Sequence, residues 1–108
     1  LEESPATVDL VDADTAHQLW ESGDGTVLDV RSKSEFAEEH IPEALHIHYG
    51  KIESHLDEVP RDERLVVHCG TGVRASVAIS VLRGHGFDDV VNFPGGLSGW
   101  KGARLPTE

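Results

Sequence analysis

Between Leu65 and Arg83 a short apolar run, a four-residue turn and a helical repeat follow one another without a break. No other stretch restricts the fold as much. Leu65-Val66-Val67 is apolar and largely β-branched, the composition of a buried strand. From Val73 the period changes. Val73, Val77, Val81 and Leu82 recur at helical intervals, so the spacing predicts a helix. Cys69-Gly70-Thr71-Gly72 between them is a tight turn. The only cysteine among 108 residues therefore stands at the carboxyl end of a strand, facing the start of a helix.

That position has chemical consequences. The first turn of a helix carries backbone N–H groups without internal partners and the positive end of the macrodipole. Loop glycines let successive N–H groups converge as an anion-binding nest. A thiol held there is favoured as the thiolate, which is the nucleophilic form. Arg74 adds a fixed positive charge at the end of the loop. A free cysteine is more commonly a small buried hydrophobe, but the glycines, the arginine and the strand-to-helix placement favour the nucleophile. Four residues separate Cys69 from Arg74. A cysteine phosphatase loop is one residue longer, because it wraps a tetrahedral phosphoryl group; the shorter loop suits a single sulfur atom carried on the cysteine. The segment Cys69-Gly70-Thr71-Gly72-Val73-Arg74 resembles the active-site loop of rhodanese-type sulfurtransferases.

The rest of the chain alternates strand and helix signals. Val8 to Val11 reads as a first strand, and Asp12 or Asp14 can cap a helix through Trp20, with Ala16, Leu19 and Trp20 inward. Thr26 to Val30 is a buried strand. Ser32 to Glu35 is a capping box opening a second helix, from which Phe36 and Ala37 can face the core. A short strand around His46 and a short helix from Lys51 to Leu56 precede the central unit. Arg83-Gly84-His85-Gly86 ends the central helix, Asp89 to Phe93 is the last strand, and Pro94-Gly95-Gly96 leads to a segment carrying Leu97 and Trp100. Such alternation implies an α/β fold with a parallel sheet covered on both faces. Ligands then bind outside the carboxyl ends of the strands, where Asp29, Arg31 and Cys69 fall.

The resemblance extends along most of the chain. Leu28-Asp29-Val30-Arg31 with Glu35-Phe36, then His40-Ile41-Pro42, resembles the rhodanese N-terminal signature, and Gly95-Gly96 with Trp100 its C-terminal one. It implies a rhodanese-like fold with a central five-stranded parallel sheet and helices on both faces. It also implies that Cys69 carries the sulfur and that the amides of Gly70, Thr71, Gly72, Val73 and Arg74 cradle it. Asp29, Arg31 and His40 would brace the surrounding loops. Glu39 and Glu43 depart from the family, standing where small residues or glycine often flank the His-Ile-Pro segment; Ala75 stands where serine is frequent.

Size and charge set the remaining limits. The chain is read as one domain over residues 6–105, and its lack of methionine suggests a processed or excised piece. A single cysteine excludes an internal disulfide and fits a reducing, cytoplasmic setting. Twenty acidic against nine basic residues give a net charge of −11, which opposes nucleic-acid or anionic-membrane partners. This charge reflects either a solubilising surface or adaptation to high salt. The seven histidines show no spacing of a metal site, so neither metal nor cofactor is expected. The expected activity is transfer of a sulfane sulfur from a small anion such as thiosulfate to a thiol or cyanide, in a monomer or a domain of a fusion protein. A non-enzymatic or sulfur-relay module is the alternative, ahead of a cysteine phosphatase or arsenate reductase.

Overall fold

The structure, a computed structural model, describes residues 9–70 and 72–108. Val8 of the expected first strand and Thr71 of the loop lie outside the described residues. The elements in chain order are α1 (Ala13–Ser22), β1 (Gly25–Asp29), α2 (Lys33–Glu38) and β2 (Leu45–His46). Two 3-10 turns follow, Tyr49–Lys51 and Glu53–Glu58, where the sequence suggested one short helix. Then come β3 (Arg64–His68), α3 (Val73–Gly84), β4 (Val90–Asn92) and α4 (Gly96–Gly102). All pairings are parallel, in the order β2-β1-β3-β4.

Among the described residues the sheet thus has four strands rather than the expected five. Leu10 forms only an isolated parallel bridge with Asn92, where Val11 N–H donates to the Asn92 carbonyl (2.9 Å) and Asn92 N–H to Asp9 (3.0 Å). The reason is local. Asp12 already caps α1, accepting from Thr15 N–H at 2.9 Å, so the extended run ends before a ladder can form.

Side-chain alternation along the strands divides the core into two layers. Leu28, Val30, Leu65, Val67, Cys69 and Val90 face α3 and the 3-10 turns, meeting Ala75, Ala78, Ile79, Leu82, Ile52 and Val59. Val27, Val66 and Val91 face α1 and α4, meeting Ala16, Phe93 and Trp100. On that second face Trp20 and Trp100 pack edge to face, 5.4 Å apart, and the Trp20 indole donates to the Pro42 carbonyl (2.7 Å).

Two details depart from the sequence pattern. The buried stripe of α3 is Ala75, Ala78, Ile79 and Leu82, while Val73 and Val77 are 68% and 46% exposed. Small alanines let the helix lie close on β3, and this rotates the valine row outward. Similarly α2 buries no residue fully: Phe36 is half-buried and Ala37 exposed. This turn and a half of helix lies at the sheet rim, and Phe36 stacks on His40 and His46 outside both core layers.

Glu43 adopts φ = +66°, the left-handed region that penalises a side chain. This is the position flagged as one where related chains often use glycine. Glu43→Gly is expected to stabilise the fold by about 1 kcal/mol, read as a shifted urea midpoint. Glu43→Ala removes the same charge but keeps the strain, so an equal gain from alanine would show that charge, not backbone conformation, is responsible.

Candidate functional site

β3 delivers Cys69 to the rim, and α3 begins four residues later. The thiol points back into the turn. Its Sγ accepts hydrogen bonds from the amides of Gly72 (3.0 Å) and Ala75 (3.3 Å). The second lies one residue beyond the stretch expected to cradle the sulfur, and no side-chain signal marks it, because the donor is backbone. Cys69 is fully buried. Burial alone would suit a core thiol; the convergence of amides at the first turn of α3 is what distinguishes this one.

Two glycines make the turn feasible. Gly72 takes φ = +94° immediately before α3. Gly96, at φ = +56°, packs so closely that a Cβ on it would stand 2.1 Å from the Cys69 carbonyl oxygen. The start of α4 is therefore packed directly against the Cys69 backbone. That explains the paired glycines after Pro94 better than a turn requirement alone.

Arg74 closes the loop but does not stand as an isolated charge. Its guanidinium donates to both carboxylate oxygens of Glu35, Nη1 to Oε1 at 2.8 Å and Nη2 to Oε2 at 3.2 Å. Glu35 also completes the capping box read in the sequence: Ser32 Oγ accepts from Glu35 N–H, and Glu35 Oε1 accepts from Ser32 N–H at 3.0 Å. Sequence reasoning found the cap and missed the clamp. The bidentate contact raises Arg74 above its ordinary pKa, and the nearby Cys69 sulfur adds to the effect. It holds the Glu35 carboxyl down to about 2, chiefly through Arg74 and next through the Ser32 amide.

Asp29 and Arg31 form the buried brace beneath the rim. Arg31 Nη2 and Nε donate to Asp29 at 2.7–3.0 Å, Arg31 N–H donates to Oδ1 at 3.0 Å, and Nη2 also reaches the Glu39 carbonyl at 2.8 Å. His68 lies on the opposite face of β3 from the sulfur, as its strand position predicts, packed against Phe93. Its Nε2 is 3.6 Å from Asp29, and among the described residues neither ring nitrogen has a hydrogen-bond partner. Burial lowers its pKa, an effect that Asp29 only partly offsets. His40 sits farther out. Its Nδ1 donates to the Phe36 carbonyl (2.8 Å), its ring stacks on Phe36 at 3.8 Å, and its backbone exchanges two hydrogen bonds with Glu108. Of the sequence-selected residues, Cys69, Gly72 and Arg74 meet at the loop; Asp29 and Arg31 pair with each other at the end of β1 and reach the Glu39 carbonyl, and His40 is tied to Phe36 and Glu108.

The Glu35 shift fixes a pH dependence. A lowered carboxylate contributes stability that is whole above its ordinary value of 4.5 and is lost as pH falls towards about 2. Glu35→Gln is expected to cost about 1 kcal/mol at neutral pH, the scale of a partly solvent-screened pair with good geometry. The difference between wild type and variant should close between those two pH values. A gap that persists unchanged at pH 2 would show that the carboxylate charge is not what holds the clamp.

Known proteins place this geometry in context. The chain is 31% identical over 100 residues to a protein of Allochromatium vinosum named sulfurtransferase, covering 92% of this chain and 94% of that one. It is 34% identical over 95 residues to the thiosulfate sulfurtransferase GlpE of Actinobacillus pleuropneumoniae, covering 85% and 88%. The solution structure of a rhodanese-like domain from Anabaena sp. superposes with a TM-score of 0.82 at 28% identity, over 94% of this chain and 80% of that one. With residues 12–103 matching the family described as the Rhodanese-like domain, the chain belongs to the rhodanese family.

Proposed function

We propose that this protein is a sulfurtransferase that carries a sulfane sulfur as a persulfide on Cys69. The observation behind this reading is the pair of amide donors aimed at Cys69 Sγ from the start of α3. Relatives named sulfurtransferase and thiosulfate sulfurtransferase support the reaction class, and thiosulfate is the donor proposed here.

In the first half-reaction the Cys69 thiolate attacks the sulfane sulfur. The S–S bond of thiosulfate breaks, sulfite leaves with the electron pair, and a Cys69 persulfide remains. In the second, a thiolate or cyanide attacks the terminal sulfur, and the Sγ–S bond breaks with its electrons returning to Sγ. No net oxidation occurs, and the chemistry calls on no metal. The loop amides and the helix N-terminus offset negative charge on the sulfur, as oxyanion-hole donors do. Arg74, held by Glu35, supplies a fixed cation, and Asp29, Arg31 and His40 keep the loop in place. We take residues 6–105 as the domain and a reducing compartment such as the cytoplasm as its setting, consistent with a single free cysteine. Among the described residues no helix is long and apolar enough to cross a membrane.

Incubation with thiosulfate should add one sulfur atom to the protein, visible by intact mass and removed by cyanide. Cys69→Ser should abolish the gain and all turnover, because serine is a far weaker nucleophile at neutral pH. Arg74→Ala should slow loading roughly 10–100-fold, the cost of removing one charge-stabilising donor group, and Arg74→Lys should restore part of it, lacking the planar fork. Hydrolysis of aryl phosphates should be negligible, since six residues from Cys69 to Arg74 enclose too small a volume. Absence of cyanide-labile sulfur from thiosulfate, persulfides and mercaptopyruvate alike would overturn the proposal in favour of a binding module.

A further inference from the structure

The large hydrophobic side chains left exposed among the described residues are Leu10, Val73 and Val77, at 69%, 68% and 46%. They do not lie apart. Val73 and Val77 stand one turn apart on α3, with Ser76 beside them. Ser76 Oγ accepts from the Asn92 side-chain amide at 3.4 Å. Asn92 pairs with Leu10 across the parallel bridge, and paired residues share a face of the sheet. Leu10 therefore projects on the α3 side, one strand spacing, or about 5 Å, from Asn92. Single exposed hydrophobics need no explanation, but a convergent group marks a contact surface.

Leu10 also borders a hollow of about 490 Å³ between the starts of α1 and α4. Val11, Ala13, Phe93 and Pro94 line it with Leu10, and the one charged residue in its wall is Asp12. The hollow adjoins the sulfur loop. A Cβ placed on Gly72 would stand 3.5 Å from Pro94 Cβ, and the Gly72 amide donates to Cys69 Sγ at 3.0 Å. Val73 follows Gly72 directly, so Pro94 joins the hollow to the valine ridge of α3.

The lining limits what the hollow can hold. A site for a small polar molecule carries several convergent polar groups to orient it. Here the side chains are apolar except for Asp12. A hollow of this kind beside an apolar ridge suits an anchor side chain presented by a protein. Charge then sets the partner's rim. Asp9, Asp12 and Asp14 are exposed and flank Leu10 in the chain, and no lysine or arginine lines the hollow. Arg74, next to Val73, is held by Glu35. A second copy of the chain would set these acids against their own duplicates across a two-fold interface. A basic rim meets them favourably.

We propose that the hollow and the ridge of Leu10, Val73 and Val77 form a docking face for a protein partner that carries an apolar anchor flanked by lysine or arginine. The anchor enters the hollow beside Pro94, and the basic flanks meet Asp9, Asp12 and Asp14. The partner sits next to the Cys69 turn, and its binding does not require sulfur on Cys69.

The test follows the amide NMR spectrum of the whole chain through titration with capped pentapeptides. The probe is Lys-Leu-Trp-Leu-Lys; its controls are the acidic Glu-Leu-Trp-Leu-Glu and the polar Lys-Ser-Gln-Ser-Lys. The probe should saturably shift the amides of Leu10, Val77, Gly95 and Gly99, and neither control should. Leu10→Ser should weaken probe binding roughly tenfold, the scale of one leucine withdrawn from water. Asp12→Asn, which can still cap α1, should weaken it about threefold, the scale of an exposed charge pair. Equal binding of the acidic control would remove the charge selection. Equal binding of the polar control would leave only bulk attraction to an acidic chain. Either result overturns the proposal, as does a probe that gives no saturable shift at the hollow. A dimer of the free chain that Leu10→Ser dissociates would assign the face to a second copy instead. Movement of the Gly99 amide on deletion of residues 1–8 would assign it to the chain's own leading segment. These readouts need no turnover, so failure of thiosulfate loading would overturn the sulfur-transfer reading and leave the docking result standing.

Discussion

The ion pair between Asp29 and Arg31 is the interaction on which the rim depends. Both side chains are almost wholly withdrawn from water, so their desolvation must be met by geometry. It is met: the carboxylate takes four contacts from Arg31, and the guanidinium spends a remaining donor on the Glu39 carbonyl. The pair therefore fixes the end of β1 to the end of α2. Once that is set, the first turn of α2 is oriented, and with it Glu35 and Arg74. Removing either partner strands a charge in the interior, a loss of about 3–5 kcal/mol in comparable sites.

Economy of polar groups runs through the neighbouring elements. Glu35 serves two helices at once, capping α2 through Ser32 and steadying the start of α3 through Arg74. The backbone of Glu39 accepts from Arg31, while its carboxylate takes Lys101 and Thr107. Hydrogen bonds to the carboxylate, from Lys101 first, hold Glu39 below its ordinary range. Among the described acids only Asp29 is fully buried, so the negative charge remains at the surface.

Much of this was legible in the sequence, and the misses have physical causes. The strand, turn and helix around Cys69 were readable because period, glycines and cysteine all point to one arrangement. The capping box at Ser32 and the Asp12 cap were readable because they rest on local spacing. The valine row of α3 misled because two alanines, weak as hydrophobic signals, decide how closely the helix approaches the sheet. Among the described residues the expected fifth strand is only a bridge at Leu10, because the Asp12 cap ends the extended run there, a competition between two local signals with no sequence rule to rank them. The Glu35 clamp was invisible because its partner lies 39 residues away, across a contact that only the folded sheet creates.

The close approach of Gly96 to the Cys69 carbonyl has a consequence for biosynthesis. The wall behind the sulfur comes from a segment that leaves the ribosome well after the cysteine itself. Until Gly96 and the helix it opens emerge, the nascent thiol has neither its final backing nor the layer built on Trp100. The turn around Cys69 is therefore completed late in translation: a ribosome-stalled chain ending before residue 96 holds the amides of Gly72 and Ala75 but lacks the backbone wall that Gly96 provides.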